Sequence, residues 1–269
     1  MSRKIRAPFA YNRLALLCLM ALPASQALAL TVVDGGKQET VMDGGSDPFL
    51  IKDAGSRLET GASFLDFSTG ENGVATASVT NSGTLVINKN AKFTNSGDGA
   101  DTISLDNGTL DASGNAGITY SGTDAWGINA QNGSTIIVKN AQVISSGAGS
   151  ILLGNNSSLT ADTLTVTSAL NAAGIQLNAD STSKAKAILR NGSFITSQDN
   201  DAISVTNGEV EISDSGVNAS RDNANAINAV SGAKIISTGN SISTAGSNGS
   251  AVLLGETNTS LTSTNTKYK

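Results

Sequence analysis

Residues 96–128 read SGDGADTISLDNGTLDASGNAGITYSGTDAWGI, and the last eight repeat the Ser-Gly-x-x-Ala-x-x-Ile form of the first eight. The final isoleucine of this form belongs to an apolar column that recurs at spacings of 25, 23, 24, 28, 24 and 25 residues. The column consists of Ile103, Ile128, Ile151, Ile175, Ile203, Ile227 and Val252. One unit therefore repeats seven times between Thr80 and Gly255.

A second apolar column keeps step with the first. We assign to it Phe93, Ile118, Val143, Val166, Phe194, Val217 and Ile242. Each column spans 149 residues, since 252 minus 103 equals 242 minus 93. Two columns in register predict that successive units stack on one another.

Each unit contains three short runs rich in Thr, Val and Ile, such as 85–88, 91–95 and 102–105, separated by Gly, Asn or Ser. These runs are too short and too often interrupted for a helical repeat, and their residue types favour strands. The sequence predicts an all-β fold, a right-handed parallel β-helix (solenoid) with three short strands per coil of about 25 residues. The handedness follows from the general rule for parallel crossovers.

Alternation within the strands predicts which side chains form the core. Ile103 and Leu105 should point inward while Ser104 points to solvent, and Phe93 should point inward while Lys92 points outward. Aromatic residues make up 4% of the chain and charged residues 14%. Continuous ladders of apolar side chains explain how such a chain can fold.

Asn-Gly pairs mark one corner of the coil, as at Asn107-Gly108. Both residue types tolerate the positive φ that tight turns require. Stacked in register, Asn81, Asn107, Asn132 and Asn156 are also expected to form a ladder of side-chain amides.

The first 29 residues differ from the rest of the chain. A basic start, an apolar run over 14–22 and the small-x-small form at Ala27-Leu28-Ala29 predict a signal peptide at 1–29, cleaved between Ala29 and Leu30. No later segment is long enough for a transmembrane helix. Cys18, the only cysteine, would leave with the signal peptide.

We divide the remaining chain into three parts. Residues 30–80 are predicted as an irregular N-terminal cap and first coil, in which Thr31–Gly45 is either hairpin-like or part of a coil. Residues 81–255 are the β-helix repeats. Residues 256–269 are expected to be an incomplete coil or a disordered tail, so the last coil would expose a bare edge.

Composition excludes several kinds of chemistry. The chain has no histidine, and the predicted mature form has no cysteine, which argues against Ser-His-Asp or Cys-His catalysis and ordinary zinc sites. Removing four basic residues with the signal peptide leaves 13 basic and 22 acidic residues, a net charge of −9. That balance argues against nucleic acid or anionic lipid as a partner. We predict no enzyme activity, cofactor or metal site.

Three candidate sites remain open. Asp199, Asp201 and Asp222 are the candidate acids of a carbohydrate-active enzyme, although solvated acidic turn residues are the commoner explanation. Residues 96–104 match a calcium-binding nonapeptide except for its first glycine, but the equivalent turns do not repeat it. Trp126 and Tyr120 are either a binding platform or local packing.

The signal segment, the Ser-Gly-x-x-Ala-x-x-Ile repeat and the Asn-Gly-Thr-Leu starts resemble the passenger region of Gram-negative autotransporters of the pertactin-like, self-associating adhesin type. The resemblance implies a pectin-lyase-like β-helix at the cell surface, on the outer membrane or secreted. It implies adhesion, aggregation or biofilm formation as the function. The implied partners are a host surface, a glycan or a second copy.

The resemblance also implies an outer-membrane β-barrel in a full-length form. The chain ends at Tyr268-Lys269 without one, which predicts a truncated autotransporter, periplasmic if truly truncated. The alternatives are a β-helical carbohydrate-active enzyme and a non-functional fragment. The receptor, any glycosylation and the mode of self-association are left open by the sequence.

Overall fold

The structure is a computed structural model that describes residues 29–88, 90–169 and 173–269. Within these ranges the secondary structure consists of 29 β-strands and no helix. The strands wind into a β-solenoid with three parallel sheets, which confirms the predicted all-β β-helical class with three strands per coil. Apart from Ala29, the predicted signal peptide lies outside the described residues.

Sheet 1 contains one strand from each coil, and we number the coils 1 to 10 by these strands. Its ten strands pair in parallel, each with the strand three positions later except at the first step. They are β1 (Thr31–Val33), β3 (Phe49–Lys52), β6 (Ala77–Thr80), β9 (Ile103–Asp106), β12 (Trp126–Gln131), β15 (Gly149–Leu153), β18 (Ile175–Asn178), β21 (Ile203–Thr206), β24 (Ile227–Val230) and β27 (Val252–Leu254).

Sheet 2 forms the second side of the coil and also has ten strands. They are β2 (Gln38–Val41), β4 (Arg57–Thr60), β7 (Thr84–Val86), β10 (Thr109–Ala112), β13 (Thr135–Lys139), β16 (Ser158–Asp162), β19 (Lys186–Arg190), β22 (Glu209–Ser213), β25 (Lys234–Thr238) and β28 (Ser260–Thr264).

Sheet 3 forms the third side and has nine strands. They are β5 (Asp66–Thr69), β8 (Lys92–Asn95), β11 (Gly117–Tyr120), β14 (Gln142–Ser145), β17 (Thr165–Ser168), β20 (Phe194–Ser197), β23 (Gly216–Ala219), β26 (Ser241–Thr244) and β29 (Lys267–Tyr268). At a strand spacing of about 4.8 Å, the nine steps of sheet 1 correspond to a rod about 43 Å long.

The first apolar column is confirmed in every step. Ile103 pairs with Ile128, and the register continues without a slip through Ile151, Ile175, Ile203 and Ile227 to Val252. The six isoleucines are fully buried. The stacking of equivalent side chains along one axis is therefore the basis of the core.

The second column is confirmed except at one position. Phe93, Ile118, Val143 and Val166 are in register, but the next member is Ile195 and not Phe194. Phe194 is 48% exposed on the outside of sheet 3, whereas Ile195 is fully buried. Because side chains alternate along a strand, a one-residue error in assignment places the wrong residue inside.

The predicted alternation is also observed. Ile103, Leu105 and Phe93 are buried, Lys92 is exposed, and Ser104 is half-buried on the outer side. In the first coils the core contains a cluster of three rings, in which the Phe67 and Phe93 centroids are 4.9 Å apart and Phe49 meets Phe67 edge-on at 5.2 Å.

The Asn-Gly corners have positive φ at the asparagine, as at Asn107 (53°) and Asn132 (54°). The predicted amide ladder is not observed in the described residues. The Asn132 side-chain amide instead donates a 2.6 Å hydrogen bond to the Asp106 carboxylate of the coil before it. A carboxylate acceptor forms a stronger hydrogen bond than a neighbouring amide oxygen would.

The Ser-Gly corner that leads from sheet 3 to sheet 1 stacks backbone directly on backbone. Cβ atoms added to Gly97, Gly122 and Gly147 would lie 2.3, 2.2 and 2.4 Å from the carbonyl oxygen of the preceding coil. No side chain fits at that distance, so the recurring glycine of the Ser-Gly-x-x-Ala-x-x-Ile form allows the coils to approach closely.

Both terminal regions of the described chain wind as coils. Strand β1 pairs in parallel with β3 and β2 with β4, so Thr31–Gly45 forms coil 1 and is not a hairpin. A parallel bridge from Gly45 to Phe67 reaches sheet 3. Residues 256–269, predicted as an incomplete coil or a disordered tail, contain β28 and β29, paired with β25 and β26.

Candidate functional site

The outer faces of the sheets carry columns of short polar side chains. On sheet 3 the column is Thr94, Thr119, Ile144, Thr167, Thr196, Asn218 and Ser243, all half-buried and in register. Their side chains stand about 4.8 Å apart along the rod. Apart from Ile144, this column is an array of hydroxyl and amide groups.

Sheet 1 has an outer column of the same kind. It contains Ser78, Ser104, Asn129, Leu152, Gln176, Ser204 and Asn228 in register. Asn228 is linked to the corner beside it, because its amide donates a 2.8 Å hydrogen bond to Asp201 Oδ2. The Oδ1 atom of Asn228 is buried without a hydrogen-bond partner in the described part of the chain.

Of the candidate catalytic acids, Asp201 is engaged by the next coil. Asp201 is only 8% exposed. Its Oδ1 atom accepts hydrogen bonds from the backbone N–H of Asn225 at 2.7 Å and from the Asn225 side-chain amide at 3.0 Å. Together with the bond from Asn228, these contacts occupy both carboxylate oxygens. The geometry fits a carboxylate that holds two coils together.

Asp199 and Asp222 lie on successive coils at the same corner. Asp199 forms an ion pair with Arg221 at 3.5 Å, and Asp222 accepts a 2.8 Å bond from the backbone N–H of Ser247. Hydrogen bonds from Ser247 hold the pKa of the Asp222 carboxyl below its usual range. A lowered pKa keeps this carboxyl ionised, which is opposite to what a general acid requires.

The calcium-like segment, residues 96–104, uses its acids in the same way. Asp98 Oδ1 accepts the backbone N–H of Thr123 at 2.8 Å, and Asp101 Oδ1 accepts that of Trp126 at 2.9 Å. Burial raises the pKa of the Asp101 carboxyl above its ordinary value. The described residues contain no group of three or more His, Cys, Asp or Glu side chains placed to hold a metal ion.

Trp126 and Tyr120 both pack against protein. Tyr120 is fully buried, and its hydroxyl donates to the Thr123 carbonyl. Trp126 is half-buried over coil 6, where a Cβ on Gly149 would lie 2.3 Å from ring atom Cζ3. The local-packing interpretation therefore describes both residues.

Sequence reasoning missed the most exposed aromatic on the outside of sheet 3, Phe194. A signal for its position was available, because Thr196 lies two residues later and aligns with Thr167 in the outer column. Since residues two apart share a face of a strand, Phe194 belongs outside with Thr196.

Sheet 2 carries a network of ion pairs on its outer face. Lys186 Nζ lies 2.9 Å from Glu209 Oε1 and 2.6 Å from Glu211 Oε1, and Lys234 Nζ lies 3.3 Å from Glu209 Oε2. The hydrogen bond from Lys186 is the main cause that lowers the pKa of Glu209 to about 2. The network links coils 7, 8 and 9 from the outside.

This network makes part of the stability depend on pH. Because the folded-state pKa of Glu209 is below its unfolded value, its contribution is present above about pH 4.5 and is lost as the pH falls toward 2. We expect Glu209→Gln to lower the free energy of unfolding by up to about 1 kcal/mol at pH 7, and the difference from wild type to shrink below pH 4.5. Urea denaturation at pH 7, 4 and 2.5 measures both quantities.

Glu39→Gln provides the control for this measurement. Glu39 lies on strand β2 of the same sheet, is exposed and has no ion pair among the described residues. Its replacement should leave the free energy of unfolding nearly unchanged at every pH. A Glu209 variant that matched Glu39→Gln throughout would show that the network does not stabilise the fold.

Comparison with protein families, with curated proteins and with solved structures finds no match to this chain. Among the described residues, no helix is long and apolar enough to cross a membrane.

Proposed function

We propose that this protein is an exported, adhesin-like passenger that acts by surface contact and not by catalysis. The observation that carries the proposal is the pair of outer polar columns on sheets 1 and 3, repeated coil after coil. Repeated weak contacts along a rigid rod add up, because the second and later contacts form at high effective concentration. The function proposed is adhesion, aggregation or biofilm formation.

The arrangement of backbone hydrogen bonds supports the use of side chains for contact. Interior strands such as β14 and β21 are paired on both sides, so their backbone groups are occupied within the rod. A partner on the side of the rod therefore meets hydroxyl, amide and charged side chains. Such surfaces suit a glycan, a polar host surface or a second rod.

Export to the cell surface, the outer membrane or the medium is part of the proposal and rests on residues 1–29. Expression in a Gram-negative host, followed by cell fractionation and N-terminal sequencing of the processed protein, tests it. We expect processing after Ala29, with Leu30 as the first residue. Unprocessed protein confined to the cytoplasm would contradict export.

Adhesion is tested with a deletion strain and a strain carrying the gene on a plasmid. We expect autoaggregation and attachment to coated surfaces to fall in the deletion strain and to return with the plasmid. Equal aggregation and attachment in all strains would count against the proposal. Release of reducing ends from polysaccharides by the purified protein, lost in Asp201→Asn, would instead favour the enzyme alternative.

A further inference from the structure

Phe194 is an aromatic ring held against the outside of the rod by the coil that follows it. A Cβ on Gly216 would lie 2.6 Å from Cδ2 and 2.9 Å from Cε2 of the ring. Only glycine at this position leaves room for the ring to cover the backbone of coil 8. Phe194 is therefore packed against coil 8 on one side and is 48% exposed to solvent.

The ring borders a groove at the corner between sheets 2 and 3, which we call the Phe194 groove. Its volume is about 550 Å³, and its principal lining residues are Phe194, Asp214, Gly216, Gly239, Ser241 and Lys267. Phe194 stands on coil 7 and Lys267 on coil 10. Three coil steps of about 4.8 Å make the groove about 14 Å long.

Small residues keep the groove open between its two ends. A second column on the outer face of sheet 3 runs from Phe194 through Gly216 and Ser241 to Lys267, so the two large side chains are separated by two short ones. Gly239 occupies the neighbouring corner with φ of 70°, and a Cβ there would lie 2.6 Å from Asp214 Oδ1. The Asp214 carboxylate therefore extends over a position with no side chain.

The groove offers both hydrogen-bond acceptors and donors. Asp214 and Lys267 are exposed, and neither side chain has a hydrogen-bond or ion-pair partner within the described ranges. The Asp214 carboxylate accepts, the Lys267 ammonium donates, and the Ser241 hydroxyl does both. These groups flank one aromatic surface and leave it accessible.

The structure disfavours several other ligand classes at this groove. Strands β20, β23 and β26 are paired on both sides, so an extended peptide finds no free sheet edge along the three strands that carry Phe194, Gly216 and Ser241. A single exposed ring provides too little apolar surface for an amphipathic helix or a lipid chain. One acid and one base give no net charge that would select a polyanion or a polycation.

We propose that the Phe194 groove binds a short neutral oligosaccharide whose pyranose rings carry equatorial hydroxyls. Such rings have an apolar C–H face that can stack on Phe194, while their hydroxyls donate to Asp214 and accept from Lys267. The inference rests on the proposed function, in that it names the chemical class of partner for the adhesin-like rod. The proposed binding site extends over coils 7 to 10 at the corner between sheets 2 and 3.

The binding test uses two defined probes, the β1,4-linked tetrasaccharides of glucose and of N-acetylglucosamine. Calorimetric titration of the purified exported protein should show binding of at least one of them. Phe194→Ala should weaken that binding at least about tenfold, and Phe194→Trp should retain it, because the stacking surface is removed in the first variant and kept in the second. Asp214→Asn and Lys267→Ala should each weaken it several-fold.

Phe64→Ala is the matched control, since Phe64 is a 77% exposed aromatic in the turn before strand β5, away from the groove. It should bind the tetrasaccharides as wild type does. Because Phe194 is on the surface, its variants should keep the wild-type unfolding midpoint, which circular dichroism checks. Gly216→Ala, which would push the ring aside, should weaken binding while Phe194 is still present.

Several results would overturn the proposal. They are no binding of either tetrasaccharide at millimolar concentration, equal binding by wild type and Phe194→Ala, or a clear preference for tetragalacturonate. The adhesion assay distinguishes a failure of the groove proposal from a failure of the proposed function. If Phe194→Ala loses tetrasaccharide binding but gene deletion leaves adhesion unchanged, the groove is supported and the proposed function is contradicted. If gene deletion lowers adhesion but Phe194→Ala binds the tetrasaccharides as wild type does, only the groove is contradicted.

Discussion

Replacing Ile151 with alanine is expected to lower the free energy of unfolding by about 3 to 4 kcal/mol. Ile151 is fully buried and lies between Ile128 and Ile175 in the first apolar column. Its truncation removes buried methyl groups and leaves a cavity in the middle of a narrow core. Because coils contact chiefly their neighbours, the loss weakens the interfaces on both sides of coil 6.

The adjacent residue supplies the control for this substitution. Leu152 is on the same strand but points outward and is only partly buried, so Leu152→Ala should cost about 1 kcal/mol or less. Urea denaturation followed by circular dichroism measures both variants. Equal losses for Ile151→Ala and Leu152→Ala would mean that the inward column does not carry the stability of the rod.

Replacing Asn95 with leucine is expected to destabilise the protein by about 3 kcal/mol or more, although leucine has a similar size. Asn95 is fully buried at the end of β8. Its amide nitrogen lies 3.0 Å from the carbonyl oxygens of Val74, Ala100 and Asp101, and its Oδ1 accepts the Gly97 N–H at 2.9 Å. Leucine would remove the acceptor of the buried Gly97 N–H and the donor to three partly buried carbonyls, and a buried polar group left without a partner costs about 1 to 3 kcal/mol.

An asparagine on the opposite face of sheet 3 tests whether burial causes this effect. Asn218 lies in the outer column, where water can replace its hydrogen bonds, so Asn218→Leu should change the free energy of unfolding by less than about 1 kcal/mol. Hydrogen exchange should also show faster exchange of the Gly97 amide in Asn95→Leu. Unchanged stability in Asn95→Leu would show that the corner does not depend on this side chain.

The Ile151 and Asn95 substitutions test two different stabilising interactions in the coil. Ile151 belongs to the apolar ladder that every coil shares, whereas Asn95 is one of several polar residues in the inner column of sheet 3. Ser145 occupies the same column and accepts the Gly147 N–H at 3.2 Å. The sides of the coil are therefore held by apolar packing, and this corner by buried hydrogen bonds.

The incorrect assignment of Phe194 to the buried column shows that the repeat spacing does not fix which of two adjacent apolar residues points inward. Phe194 and Ile195 are adjacent apolar residues that lie 28 and 29 residues after Val166, so the spacing alone does not distinguish between them. The inward position goes to Ile195 because the strand pairs with Val166 and Val217 in that register. The one-residue error placed Phe194, the aromatic side chain of the groove, in the predicted core.

The candidate acids show a different limit. The sequence places Asp199, Asp201 and Asp222 near one another at turns, which is compatible with either a cleft or a structural corner. Asp201 contacts Asn225 and Asn228, which are 24 and 27 residues away. A linear pattern does not contain these contacts, because they depend on how one coil sits above the next.

The amino-acid sequence alone establishes the repeat, the strand content and the stacking of the first column. The reason is that isoleucines recurring at each coil length, in short alternating strands, can be buried together only if equivalent strands lie above one another. The hydrogen-bonded corners and the Phe194 groove required the three-dimensional arrangement. Phe194, Asp214, Gly239 and Lys267 are separated by 20 or more residues and become neighbours only when the stacked coils are in register.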